Sequence, residues 1–159
     1  MTLLEVTIAT TMMTTVVLSV SILVRTSYTA WLVQEADSAN VEAAHAVVRH
    51  ILRKTRQAES VLTVSLPSEG AGSLSLLTSS GQTLAWSRNS GTDEVLFGIG
   101  SATDLLGEGI TNLSFTAYKA DGVTTTTVAE EVQAIKCSAS VTTPTGTQTA
   151  TAWAWLRAW

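Results

Sequence analysis

Apolar and polar positions are arranged in three textures along this chain, and each predicts a different element. Between Glu5 and Arg25 no residue is charged, and Leu3, Leu4, Val6, Ile8, Val16, Val17, Leu18, Val20, Ile22, Leu23 and Val24 make the stretch apolar on all sides. About 18 such residues are enough to span a bilayer as a helix. The second texture is amphipathic. Trp31, Leu32, Ala36, Ala39, Ala43, Val47 and Ile51, with Leu52 beside them, recur at spacings of three and four, with Glu35, Asp37, Glu42, Arg49, Arg53 and Arg56 largely off that stripe. Neither Gly nor Pro occurs from Thr2 to Ala58. One helix of some 55 residues, roughly 80 Å long at 1.5 Å per residue, is therefore predicted.

After Glu59 the third texture begins, with short runs of Val, Leu, Ile and Thr broken by Gly, Ser, Asn, Asp and Pro. Ser60–Leu66, Ser73–Leu77 and Thr83–Arg88 read as a meander with hairpin turns, and Glu94–Ile99 as a further strand. In Ile110–Lys119 the residues Ile110, Leu113, Phe115 and Ala117 oppose Asn112, Ser114, Thr116 and Tyr118. Asp121-Gly122 then turns the chain. Glu131–Thr142 and Gln148–Arg157 pair around Pro144-Thr145-Gly146, with Trp153, Trp155 and Arg157 on one face and Ala152, Ala154, Leu156 and Ala158 on the other. The Thr124–Thr127 run reads as a solvated loop. The fold class is α+β: a long N-terminal helix whose C-terminal half packs on an antiparallel sheet. Its parts are an apolar segment 1–25, an amphipathic continuation 26–58 and a β-rich head 59–159.

Composition sharpens this division. Only 14% of the residues are charged while 45% are hydrophobic, and charged residues ordinarily make up about a quarter of a soluble domain. The first 58 residues hold five basic and four acidic side chains, the remainder four and nine. That acidic balance argues against nucleic acid as a partner of the head. The single Cys137 excludes an internal disulfide. A secretory signal peptide would place basic residues ahead of the apolar run; here only Glu5 precedes it, so the sequence is read as a mature chain.

Glu5 is the most informative residue. A carboxylate at the mouth of an apolar segment is expensive to bury unless a positive group meets it. It either lies at the surface, favoured by the helix dipole, or pairs with a terminal amine. The opening Met1-Thr2-Leu3-Leu4-Glu5-Val6 resembles the processed N-terminus of type IV pilins and type II secretion pseudopilins. In that family a peptidase removes a basic leader, the new first residue (Phe more often than Met) is N-methylated, and residue 5 is Glu. The resemblance covers the plan of the whole chain, and at residue level about the first 25 positions. It implies a methylated Met1, with Met1 and Glu5 directing filament assembly. Leu3, Leu4, Val6, Ile8, Val16, Val17, Leu18, Val20, Ile22, Leu23 and Val24 then form an anchor in the inner membrane, and after assembly the core of an extracellular filament. The implied partners are further copies of the chain, other pilins, the prepilin peptidase and the assembly machinery. Close helix packing would use small residues such as Ala9, Ser19 and Ser21. Many relatives carry a Pro near position 22, where this chain has Ile22. The Arg49–Arg56 helix end, Leu106–Phe115 and the strand around Ala134-Ile135 are closer to minor pilins and J-type pseudopilins than to major pilins.

Sites for chemistry are sparse. His45 and His50 lie five apart, not the three or four that brings two ligands onto one helix face, so no metal is expected. Cys137 reads as a buried small hydrophobe. No nucleophile elbow is present, and Gly98-Ile99-Gly100 and Gly107-Glu108-Gly109 read as turns. Asp93-Glu94 and Asp121 are too sparse an oxygen array for Ca²⁺. Arg49, Arg53, Lys54 and Arg56 suit a helix C-terminus and contacts between subunits. Trp31 suits a membrane interface, while Trp153, Trp155 and Trp159 suit core or subunit contacts. Neither an enzyme nor a cofactor is expected. The leading expectation is a pilus-like structural subunit; a secretion pseudopilin and a membrane-anchored domain that never polymerises are the alternatives.

Overall fold

The computed structural model describes residues 2–157; Met1, Ala158 and Trp159 lie outside them. The described chain is α+β and pilin-like in arrangement. One helix, α1 (Leu3–Thr55), is followed by β1 (Ala58–Val64), β2 (Ser73–Thr78), β3 (Thr83–Asn89), β4 (Glu94–Ile99), β5 (Asp104–Gly107), β6 (Ile110–Tyr118), a short 3-10 turn (Ala129–Glu131), β7 (Ala134–Thr143) and β8 (Gly146–Trp155). The chain forms two compact units, divided between Ala36 and Asp37.

In the first unit the helix runs unbroken through Ile22. Its hydroxyls explain how so many Thr residues fit there. Thr7, Thr10, Thr11, Thr14, Thr15, Ser19 and Ser21 each donate to a carbonyl three or four residues back, at 2.7–3.1 Å. A hydroxyl bonded this way offers its methyl or methylene, rather than a free O–H, to the surroundings.

The second unit packs the helix from Asp37 onward on two antiparallel meanders, where one sheet was expected. The first has the order β1-β2-β3-β4-β5, the second β6-β7-β8. β5 is the strand that the sequence reading missed. Its Gly107, taken for a turn residue, ends the strand under α1, where an added Cβ would stand 2.7 Å from Val47 Cγ2. The buried stripe of α1 is Ala44, Val47, Val48, Ile51, Leu52 and Thr55, with Val41 beside it. Ala39 is exposed and Ala43 only half-buried, so the real stripe is rotated from the expected one while sharing Val47, Ile51 and Leu52.

These helix residues join Leu74, Leu76, Trp86, Val95, Ile110, Leu113, Phe115, Ile135, Cys137 and Val141 in one continuous core. Both Ile110 and Leu113 are fully buried, although a spacing of three puts them on opposite faces of a regular strand. A bulge between Ile110 and Asn112 corrects the phase. Arg88 ties the sheets together. Its side chain is only 8% exposed, and its guanidinium donates to the carbonyls of Ile110 and Gly70 and pairs with Asp93.

Candidate functional site

The residues expected to carry function are concentrated in the first unit, and α1 presents them outward. From Leu3 to Val24 every large apolar residue is exposed, from 47% at Val6 to 87% at Leu3. α1 is long and apolar enough to cross a membrane, and none of its most apolar window is covered within the chain. Exposed apolar area on that scale marks a surface made for lipid or for another protein. Just beyond it Tyr28 and Trp31 stand with ring centroids 6.3 Å apart, both more than half exposed. Amphipathic rings at this place fit a membrane interface. Trp31 was expected there; Tyr28 was missed, although one helical turn separates them.

Glu5 is held at the start of the helix by a reciprocal cap. The Thr2 amide donates to Glu5 Oε2 at 2.9 Å, and the Glu5 amide donates to Thr2 Oγ1 at 3.4 Å. Thr-x-x-Glu ahead of an apolar run is the sequence form of this capping box. Thr2-Leu3-Leu4-Glu5 has this form, so Glu5 has a capping role beside the helix-dipole and amine-pairing roles expected of it. The cap orients the carboxylate over the first turn, with Oε1 free of any bond among the described residues. Met1, the expected partner and methylation site, lies outside the described residues.

In the second unit Cys137, His50, Asp93, Asp121 and Glu131 are each occupied by structural work. Cys137 is fully buried, and desolvation pushes its thiol up to about 12. His50 Nδ1 accepts from Trp86 Nε1 at 3.4 Å, and its ring meets Phe97 edge-on at 4.9 Å. Burial, followed by the charges of Arg53 and Lys54, lowers its pKa. His45 is exposed.

Asp93 serves Arg88. Asp121 organises its own turn: its Oδ1 accepts the amides of Val123 and Thr124 at 3.0 and 2.9 Å, and Thr124 Oγ1 donates to Oδ2. The Thr124 hydroxyl, those amides and then Lys119 bring its carboxyl down to about 2. The Lys119 ammonium, at 2.8 Å, and the Thr126 hydroxyl likewise lower Glu131. Arg49 turns its Nε to the His45 carbonyl at 3.3 Å, and none of Arg49, Arg53, Lys54 and Arg56 forms an ion pair among the described residues. Trp86 is core; Trp153 and Trp155 are half exposed.

Comparison with protein-family models, with curated proteins and with solved structures returned no match.

Proposed function

We propose that this chain is a structural subunit of a type IV pilus-like filament, held in the inner membrane by α1 and then polymerised through it into an extracellular fibre. The observation that carries this reading is Glu5 at the mouth of a helix whose large apolar side chains from Leu3 to Val24 are all exposed. In lipid those side chains are solvated by acyl chains. In a filament they pack against the same segment of neighbouring copies, where van der Waals contact and close backbone approach replace lipid. Glu5 then needs a positive partner, because an unpaired carboxylate in such a core costs several kcal/mol. The N-terminal amine of a neighbour, on Met1, supplies the charge and sets the register between subunits.

The capping box supplies a control that separates charge from helix structure. Gln can replace Glu in such a cap, so Glu5→Gln keeps the helix start and removes only the charge. Electron microscopy of cells making each variant should show filaments lost with Glu5→Gln as well as with Glu5→Ala. Mass spectrometry of wild-type filaments should find this chain with a methylated Met1. Wild-type filament yield from Glu5→Gln would sink the pairing. Long surface filaments built mainly of this chain would exclude a short secretion pseudopilus, which shares the same N-terminal logic.

A further inference from the structure

The two sheets have four edge strands, and three are protected against pairing with another chain. β1 carries register shifts at Ala58/Ser60 and Val61/Thr63, which bend an edge away from flat pairing. β5 has four residues, includes Asp104 and meets β4 with a further shift. The outer side of β6 is covered by its own chain. Gly72 N–H donates to the Leu113 carbonyl at 2.8 Å and Leu113 N–H to Gly70 at 2.9 Å; further along, Thr126 N–H donates to Ala117 at 3.0 Å. Gly72 is required for that approach, since a Cβ there would lie 2.5 Å from the Leu113 oxygen. The Thr124–Thr127 run, expected as a loop only, thus helps close this edge.

β8 has none of these devices. It is ten residues long, pairs with β7 over ten consecutive positions without a shift, and contains no charge and no Pro. Hydroxyl contacts brace it: Ser140 Oγ with Thr149 Oγ1 at 2.9 Å, and Thr151 Oγ1 with Ser138 Oγ at 3.1 Å. The Leu156 amide donates to the Gln133 carbonyl at 2.8 Å, which sets the phase of the ladder. By antiparallel alternation the even-numbered residues bond β7, and the backbone groups of Thr147, Thr149, Thr151, Trp153 and Trp155 face the free side.

We propose that β8 is an interface for a second copy of this chain, pairing with the same strand of its partner in antiparallel register about Thr151. An edge of directed N–H and C=O groups specifies an extended backbone as its occupant, and among the described residues the other three edges are shifted, short or covered, so the matching edge that a copy offers is its own β8. The register centred on Thr151 engages all five outward residues of each strand. It sets Thr149 against Trp153 and Thr147 against Trp155, pairs of β-branched and aromatic residues that suit cross-strand contact. No charge opposes another.

The test uses the full chain in detergent. Two Thr151 residues in a hydrogen-bonded pair have Cα atoms about 5.5 Å apart, within disulfide reach, and the buried native Cys137 does not compete for oxidant. Under mild oxidation Thr151→Cys should give covalent dimer in several-fold higher yield than Thr63→Cys, an exposed position on the blunted β1 edge. Equal yields at the two positions would overturn the proposal. Wild-type hydrogen exchange checks the same point without substitution: the amides of Thr149, Thr151 and Trp153 should gain protection as protein concentration rises. Protection that is independent of concentration, or that appears only when an unrelated extended peptide is added, overturns the second copy as the occupant. Neither readout depends on filament formation.

Discussion

Residues 3–36 and residues 37–55 belong to one helix, yet they treat apolar side chains in opposite ways. In the first stretch Leu3, Val16, Leu18 and Ile22 are all more than half exposed, while in the second Ala44, Val47, Val48, Ile51 and Leu52 are at most 5% exposed. The difference lies in arrangement, not in hydrophobicity. Apolar residues all round a helix cannot be covered by one sheet, whereas a single stripe can. The polar residues follow the same division. From Thr7 to Ser21 the Thr and Ser hydroxyls all fold back on their own helix, so this part of the apolar run turns no free hydroxyl outward. In the second stretch, polar groups reach across to the β-rich part: Asp37 accepts from Thr145 Oγ1, in the turn between β7 and β8, at 2.6 Å. Apolar content alone therefore does not identify a core; its distribution around the helix decides whether the covering comes from the same chain or from elsewhere.

The comparison is broken most severely from the head side, at Arg88. Arg88→Ala removes a charged donor from two carbonyls, Ile110 and Gly70, each worth roughly 1.5–3 kcal/mol. Asp93, at 45% exposure, is screened and adds little. A loss of roughly 4 kcal/mol is expected in urea unfolding of the full chain in detergent, followed by the fluorescence of buried Trp86, with membrane retention unchanged. A loss below about 1 kcal/mol, the range of an exposed pair, would show that Arg88 does not join the sheets.

The complementary change tests the other half. Val17→Lys places a charge mid-helix at a cost of about 2.5–3.5 kcal/mol in a bilayer. Because Val17 is 54% exposed and absent from the core, the urea midpoint of the head should not move. Carbonate extraction of membranes should release the variant and retain the wild type. Equal retention would mean that the apolar stretch is not what holds the chain in the membrane.

How much of this was legible in the sequence follows the range of the forces involved. The helix, seven of the eight strands and the turns at Asp121-Gly122 and Pro144-Thr145 follow from local patterns, and those strands lie within a few residues of their expected bounds. β5 was hidden because Asp104–Gly107 is too short for a period and ends in a Gly that normally signals a turn. The second sheet was hidden because strand patterns report which face is buried, not which strand is a neighbour. Arg88 had no signal at all: a lone Arg in a strand looks like a solvent-facing residue until Gly70 and Ile110 are brought to it. At the candidate site, Glu5 and the apolar helix are legible in the sequence, and so is the Thr2 cap, whose Thr-x-x-Glu signature is entirely local.

The smallest effect concerns His50, where the helix stripe meets the sheet, and makes helix packing in the head depend on pH. Burial first, then Arg53 and Lys54, hold the His50 pKa below its ordinary 6.5. Between 6.5 and that lower value the unfolded chain binds a proton that the folded chain refuses, so stability increases with pH across this window. The contribution is complete above 6.5, declines as pH falls through the window and is level below it. Protonation also removes the lone pair that accepts the Trp86 indole N–H. The depressed carboxylates do not interfere, since Asp121 at about 2 and the lowered Glu131 lose their contributions only as pH drops below the ordinary 3.8 and 4.5. Thermal melts of the full chain in detergent from pH 8 to pH 5 should therefore show a midpoint that falls below pH 6.5, and His50→Gln should flatten the fall. A wild-type midpoint that rises on acidification would reverse the sign and show that the pocket between α1, Trp86 and Phe97 favours the imidazolium.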